Sequence, residues 1–147
     1  MITFQTYNTL PDAAAQIRRA VFTQEQGFTE EFDDIDQTAY HLVLFLDEIP
    51  MATCRLYQSQ ASSCYLVGRL AVLSSGRGQH LGAALLKQAE QVAQSLGGCC
   101  IALAAQVQAK GFYEKQGYLA HGALFYEEGV PHIWMEKQLS SPVPTIE

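Results

Sequence analysis

The chain has 147 residues, 48% of them hydrophobic, and a formal net charge of −6 at pH 7. This length matches one ordinary domain, and the apolar fraction is ample for a core. The acidic excess disfavours nucleic acid as a partner, because such binding requires a basic patch. There is no apolar run of about 18 residues and no basic leader, so we expect neither a membrane span nor a signal peptide.

The first third of the chain predicts a strand, a helix and a hairpin. Ile2 to Tyr7 alternates apolar and polar side chains, as a strand does. Leu10 to Gly27 carries apolar residues at helical spacing, with a proline in the first turn. The acidic stretch ending at Asp36 predicts a loop or a short helix. Tyr40 to Leu46 and Met51 to Tyr57 predict two strands joined by a tight turn.

The rest of the chain alternates strands with helices. The strand Tyr65 to Leu73 runs into a glycine-rich turn, and an amphipathic helix follows from Leu81 to about Leu96. The later predicted elements are a buried strand over Cys99 to Leu103, a short helix over Val107 to Gln116, and an antiparallel pair formed by Tyr118 to Tyr126 and His132 to Lys137. The order β-α-β-β-β-α-β-α-β-β indicates an α/β fold, with a central mixed β-sheet and helices on both faces.

The glycine-rich turn leads directly into a helix N-terminus, where unpaired backbone N–H groups favour an anion. A Walker-type phosphate loop is excluded because Leu81-Gly82-Ala83 stands where Gly-Lys-Ser/Thr is required. A dinucleotide fingerprint on Gly76, Gly78 and Gly82 has its last gap one residue too long, and no acid follows the next strand. The third interpretation is an acyl-CoA signature on Arg77, Gly82 and Ala83. The purely structural alternative is a strand-to-helix turn that binds no ligand, in which glycine supplies an unusual dihedral angle.

This segment resembles motif A of the GNAT N-acetyltransferase superfamily, in which a strand precedes the pattern R-G-x-G-x-G and a helix. His80 stands where that pattern has a glycine. Further blocks are similar to the ElaA/YjcF-like branch of the superfamily, and with motif A they extend the resemblance over residues 1 to about 139. These blocks are Ile17 to Phe28, Glu31 to Asp36, Gly68 to Val72, Ala105-Gln106 with Phe112-Tyr113, and Gly129 to His132.

The resemblance implies a single acetyltransferase domain over residues 1–139 and a loose tail over residues 140–147. It implies the GNAT fold, whose two central strands splay apart to admit the pantetheine arm of acetyl-CoA. Backbone groups of Leu70, Ala71 and Val72 would meet that arm, Gln106 would hydrogen-bond it, and Phe112 would pack against the cofactor. The residues that would bind the CoA pyrophosphate are Arg77, Gly78, Gln79, His80, Leu81, Gly82 and Ala83.

The implied reaction moves an acetyl group from acetyl-CoA to an amine by direct attack in a ternary complex. Tyr113 is the implied proton donor to the leaving thiolate, and its phenol is chemically suited to that step. Deprotonation of the amine matters because few amines are neutral at pH 7. The carboxyl and imidazole groups considered as general base are Glu25, Asp33, Asp34, Asp36, His41 and His132. We favour Glu25 and His132, while a water relay without a single base stays open.

Four cysteines and two strand arginines complete the chemically notable residues. No pair of cysteines forms C-x-x-C, so we expect no metal site. Cys54, Cys99 and Cys100 fall in apolar strand patterns and are predicted to be buried, inert thiols in a reducing cytoplasmic setting. Arg55 and Arg69 require either internal acids or a substrate anion as partners.

The acceptor amine is not identified by the sequence. Small-molecule amines, amino sugars, polyamines and protein lysines stay open, and so does a homodimer. The acidic segment Glu30 to Asp36 would steer a cationic amine to the site. A non-catalytic acyl-CoA-binding or sensing module on the same fold is the alternative function, since fold does not fix function. A nucleotide-binding oxidoreductase is the third function considered.

Overall fold

A computed structural model describes residues 1–28, 32–59 and 63–139. The predicted acids Glu30 and Glu31 and the predicted tail lie outside these ranges. The strands are β1 Ile2–Tyr7, β2 Tyr40–Leu46, β3 Ile49–Gln58, β4 Cys64–Val72, β5 Cys100–Gln106, β6 Leu119–Glu127 and β7 Val130–Gln138. The α-helices are α1 Asp12–Arg18, α2 Leu81–Ser95 and α3 Lys110–Lys115. None of the helices in the described ranges is long and apolar enough to cross a membrane.

The strands form one mixed sheet in the order β1-β2-β3-β4-β5-β7-β6. Pairing is antiparallel between β1 and β2, β2 and β3, β5 and β7, and β6 and β7. The pairing of β4 with β5 is parallel and runs from Cys64/Cys100 to Leu66/Ala102. The predicted mixed α/β sheet is therefore confirmed. The chain divides into two compact units, one with the described residues of 1–57 and 67–89, the other with those of 58–66 and 90–139.

The first unit is built around the apolar face of its N-terminal helix. Ile17, Val21 and Phe22 pack in one buried cluster with Val43 and Ala71. After α1 the helix continues as a π-helical segment, Arg19–Glu25. The amide of Gln26 there bonds the carbonyl of Val21 at 3.0 Å, which is the five-residue step of π geometry. The predicted single helix is thus present to Glu25, but its last turns are wider than an α-helix.

A buried ion network holds α1 against the loop and β3 of the same unit. Arg18, only 1% exposed, donates two hydrogen bonds to Asp36, at 2.7 and 3.0 Å. Arg55 donates to the same Asp36 carboxylate at 3.0 Å and to both oxygens of Asp33, at 2.6 and 3.1 Å. Charge-assisted bonds of this kind are the strong ones, and they compensate for burying the two guanidinium groups.

The network reaches β2 and β4 through two further residues. His41 is buried, and its Nε2 lies 2.9 Å from the carbonyl oxygen of Asp36. Arg69 contacts Asp33 at 3.3 Å and has a positive φ of 51°, which is unusual for a residue with a side chain. Of the two partners considered for Arg55 and Arg69, internal acids are therefore the ones present.

The second unit contains a polar triad centred on the buried Glu90, and a cysteine pair. The hydroxyl of Tyr118, which is fully buried, donates to Glu90 at 2.8 Å, and Lys137 donates to the other oxygen of that carboxylate at 3.0 Å. Cys64 and Cys100 form a disulfide between β4 and β5, with a Cα–Cα distance of 4.6 Å.

The prediction that Cys54, Cys99 and Cys100 are buried is confirmed for two of them and wrong for the third. Cys54 is buried, and burial raises the pKa of its thiol to about 12. Cys99 is exposed, so its predicted burial is wrong. The reason is that β5 begins at Cys100, which leaves Cys99 just outside the strand. Cys100 is buried as expected, but in this structure it is half of a disulfide rather than a thiol.

We expect Asp36→Asn to lower the free energy of unfolding by about 3–5 kcal/mol, because it removes the counter-charge that the buried Arg18 has in Asp36 and one of the two that Arg55 has. Burial alone would raise the pKa of Asp36, but hydrogen bonds from Arg18, the Asp33 backbone and Arg55 outweigh it and lower the pKa from 3.8 to about 2. A depressed pKa means that this stabilisation is present above pH 3.8 and is lost as the pH falls towards 2.

Urea unfolding between neutral and acid pH measures both effects. Asp34→Asn is the matched control, since Asp34 is exposed in the same short 3₁₀ turn, Asp34–Gln37. The network account is contradicted if both variants lose equal stability, or if Asp36→Asn keeps the acid sensitivity of the wild type.

Candidate active site

The first part of the candidate site is the turn between β4 and α2, in the first unit. Gly78 has φ +82° and His80 has φ +60°, so both lie in the left-handed region that favours glycine. The amide of Ala84 bonds the carbonyl of His80 at 3.1 Å. The N–H groups of residues 81–83 therefore precede the first helical bond and have no acceptor within the helix. The turn presents these donors at the positive end of a 15-residue helix, which is a site suited to a phosphate.

Gly76 has a packing role in this turn. It is buried, and a Cβ built there would lie 3.0 Å from Leu81 Cδ1 and 3.5 Å from Met51 Sδ. The glycine lets the turn close over the first residue of α2. Of the glycines considered in the sequence, Gly78 supplies the unusual dihedral angle and Gly76 supplies the close approach.

Arg77 is held by two partners in the same unit. Its guanidinium forms a two-bond ion pair with Glu25, at 2.6 and 2.7 Å, and also donates to the carbonyl of Val72, at 3.0 and 3.1 Å. The hydrogen bond from Arg77 lowers the pKa of Glu25, and the same bond raises the pKa of Arg77. Glu25 is therefore held as a carboxylate, which weakens it as a proton acceptor.

The predicted cofactor strand, Leu70 to Val72, is the end of β4. Ala71 is buried in the core of the first unit, so its side chain is structural. The carbonyl of Val72 already accepts from Arg77. Leu73, the next residue, donates its amide to the carbonyl of Met51 at 2.9 Å.

The second unit contains the aromatic candidates. Tyr113 is half-buried in α3, and its ring packs edge-on against Phe112 at 5.0 Å and Tyr118 at 6.0 Å. Gln106, at the end of β5, accepts a hydrogen bond from the side chain of Gln108. The fixed Tyr118 thus gives the Tyr113 ring a defined position.

His132 lies on β7 in the second unit, with its ring held between defined neighbours. It is 6% exposed, and its ring stacks on Phe125 with centroids 5.8 Å apart. Its Nδ1 lies 2.8 Å from the carbonyl of Val130, and a carbonyl can only accept, so Nδ1 carries the proton. In the neutral imidazole the opposite nitrogen, Nε2, has the lone pair; it lies 3.9 Å from Glu127 Oε2.

The other residues considered as general base are held by arginines, have a lowered pKa, or lie exposed at the surface. Burial raises the pKa of Asp33, but bonds from Arg55 outweigh it and lower the pKa overall. Asp36 is similarly held by Arg18 and Arg55. Burial lowers the pKa of His41, while Asp34 is exposed.

Two features were missed or misjudged from the sequence. Arg18 was not singled out, although an arginine within the helix that carries Ile17 and Val21 was a signal that an internal acid is needed. Asp33 and Asp36 neutralise arginines, so these two acids offer little net charge to steer a cationic amine.

The first unit also contains a cavity of about 600 Å³ beside this ion network. Asp33 and Asp36 form part of its wall, and Arg19 stacks on Phe32 at 5.2 Å on the same lining. The lining residues are Thr9, Leu10, Arg19, Phe32, Asp33, Asp36 and Gln37.

A family profile described as "Acetyltransferase (GNAT) domain" matches residues 9–139. The chain belongs to the GNAT acetyltransferase family. It is 32% identical to the uncharacterized N-acetyltransferase YjcF of Bacillus subtilis over 84% of this chain and 89% of that protein. It is similar to Escherichia coli ElaA in sequence and in structure, with 26% identity, a TM-score of 0.82, and coverage of 93% of this chain and 99% of that one. The predicted family and its ElaA/YjcF-like branch are confirmed.

Two further crystal structures share the GNAT fold. A proposed N-acetyltransferase from Lactobacillus plantarum is 30% identical, with a TM-score of 0.87 over 95% of this chain and 99% of that one. An aminoglycoside 6'-N-acetyltransferase complexed with coenzyme A has a TM-score of 0.72 at 17% identity, over 97% of this chain and 99% of that one, which shows the fold alone.

We expect His80→Gly to be more stable than His80→Ala by about 1 kcal/mol, because only the alanine variant retains the cost of a Cβ in left-handed backbone. The comparison removes the imidazole in both variants, so the difference isolates the backbone term. Urea unfolding measures it, and equal stability of the two variants would show that the strained turn conformation at residue 80 is not populated.

Proposed function

We propose that this protein is an acetyl-CoA-dependent N-acetyltransferase whose acceptor amine attacks the thioester directly in a ternary complex. The observation that carries the proposal is the turn before α2, where two left-handed residues, Gly78 and His80, lead into N–H groups that have no acceptor within the helix. The family supports acyl-CoA-dependent acetyl transfer in general. The coenzyme A bound to the related aminoglycoside acetyltransferase supports a CoA ligand on this fold.

The residues of the turn fit the diphosphate of such a ligand. The amides of Leu81, Gly82 and Ala83 would donate to phosphate oxygens, and Gly82 would let the ligand approach the backbone. Arg77 is paired with Glu25, which offsets its charge, so its contribution is to hold the Val72 carbonyl and thereby shape the turn. We assign Glu25 to the placement of Arg77 and prefer His132 as the general base.

Proton transfers in the proposed reaction are balanced by two side chains. His132 Nε2 would take the proton that the amine loses as its nitrogen bonds the acyl carbon. As the carbon–sulfur bond breaks, Tyr113 would give its hydroxyl proton to the leaving thiolate. The pKa of a thiol, about 8.5, is near enough to that of a phenol, about 10, for this transfer between adjacent groups. Backbone N–H groups of the strand that meets the thioester would stabilise the oxyanion.

Steady-state kinetics with acetyl-CoA and a panel of amines tests the assignment, with release of free CoA as the signal. We expect His132→Gln to lower kcat by about 100-fold and to remove the acidic limb of the pH profile, because the variant has no titrating base. We expect Glu25→Gln to act mainly on KM for acetyl-CoA, because it frees Arg77 from its fixed position. Glu114→Gln, an exposed acid on α3, is the control for loss of one charge.

The outcomes separate the alternatives. Acetyl-CoA binding without turnover on any amine would favour the sensing module over the enzyme. Turnover that His132→Gln leaves unchanged would reject His132 as the base and leave the water relay.

A further inference from the structure

A row of residues that can ligate a metal crosses four neighbouring strands of the second unit. Cys64 is on β4, Cys100 on β5, Glu136 on β7 and His121 on β6. These strands are consecutive neighbours in the sheet. The four positions are far apart in sequence, so local spacing such as C-x-x-C gives no sign of them.

The register places all four on one face of the sheet. Cys64 and Cys100 are direct partners. Glu136 pairs with Ala102, which shares the face of Cys100 because alternate residues of a strand point the same way. By the same rule, His121 pairs with Trp134 and so shares the face of Glu136.

The side-chain atoms converge as well as the strands. The sulfurs of Cys64 and Cys100 and a carboxylate oxygen of Glu136 all lie within 4.8 Å of one another. His121 Nε2 lies 3.8 Å from Glu136 Oε2. Two sulfurs, a carboxylate oxygen and an imidazole nitrogen are the ligand types that Zn²⁺ takes in tetrahedral sites.

We propose that Cys64, Cys100 and Glu136, with His121 as the fourth ligand, form a zinc site when the cysteine pair is reduced. This inference is independent of the proposed acetyltransferase activity. Two thiolates select a soft or borderline cation over magnesium or calcium, which prefer oxygen ligands. The site is buried on its sulfur side, where Cys100 is 4% exposed, and open on its histidine side, where the His121 side chain is 58% exposed. A metal ion therefore has a route of entry.

A second residue orients the carboxylate. Gln138, the direct partner of Cys100, donates from its side-chain amide to Glu136 Oε1 at 2.8 Å. That bond engages one oxygen and leaves Oε2 on the side of His121. Ligands of metal centres commonly have such an outer partner, which fixes their orientation.

The disulfide and the zinc site are two states of one cysteine pair. Reduction by a dithiol reagent breaks the S–S bond, with two electrons and two protons coming from the reagent, which closes to its own disulfide. Zinc then displaces the thiol protons into solvent as the two metal–sulfur bonds form. The oxidised protein has no thiolate to offer at this site and is expected to bind no zinc there.

Cys99 provides a matched control. It is adjacent to Cys100 in sequence and exposed, and its sulfur lies 2.8 Å from the hydroxyl of Ser63. Cys99 precedes the first residue of β5 and is not among the converging ligand atoms, so a Cys99→Ser variant keeps the proposed ligand set while removing one thiol.

Zinc titration of the full chain, reduced and handled without oxygen, against a chromophoric chelator tests the proposal. We expect one zinc per reduced chain, none for the oxidised chain or for Cys64→Ser, and wild-type affinity for Cys99→Ser. We expect Gln138→Ala to weaken binding by roughly 10- to 100-fold, the usual effect of losing an outer partner. X-ray absorption at the zinc edge should show two sulfur neighbours at about 2.3 Å.

Three results would overturn the site. These are no stoichiometric zinc uptake by the reduced wild type, equal uptake by the oxidised chain, or loss of uptake in Cys99→Ser. The oxidised and reduced wild types differ by no mutation, so this comparison stands even if a cysteine variant folds poorly. Cobalt in place of zinc gives a second readout, because thiolate coordination adds charge-transfer absorption that carboxylate and imidazole ligands do not give.

Discussion

The first unit depends on one buried carboxylate, Asp36, between two guanidinium groups. Arg18 and Arg55 are almost fully buried, and a buried arginine is tolerated only with paired charge and well-placed hydrogen bonds. Asp36 supplies both, so α1, the 3₁₀ turn and β3 are fixed to one another. Asp33 extends the constraint to Arg69 on β4, immediately before the segment predicted to meet the cofactor. The ion network therefore helps to fix the position of β4, and the candidate site begins at the end of that strand.

The same principle operates at the turn before α2, but at the surface. Glu25, at the end of the π-helical segment, holds Arg77, and Arg77 holds the carbonyl of Val72. These contacts fix the conformation of the turn in the absence of ligand. The entropy cost of ordering the turn on binding is therefore smaller. His80 has left-handed backbone at a position where the family pattern has glycine, the residue that adopts this conformation without a Cβ penalty.

Local patterns predicted the strands, the glycine turn and the family, because alternation, helical spacing and turn chemistry are encoded over a few residues. Ile2–Tyr7 and Tyr40–Leu46 match their predicted bounds for this reason. Features that depend on long-range register were not predictable. The partner of Arg18 lies 18 residues away, and Cys64 meets Cys100 across 36 residues. Cys99 was misplaced because a one-residue difference in where a strand begins changes whether a side chain is buried.

The central claim is that the turn before α2 binds the diphosphate of acetyl-CoA, and calorimetric titration of acetyl-CoA into the wild type and Gly82→Trp tests it most directly. Gln91→Trp, an exposed position further along α2, controls for the added indole. The account predicts roughly micromolar binding by the wild type and the control, and none by a folded Gly82→Trp. Absence of binding by the wild type, or unchanged affinity in Gly82→Trp, would contradict it.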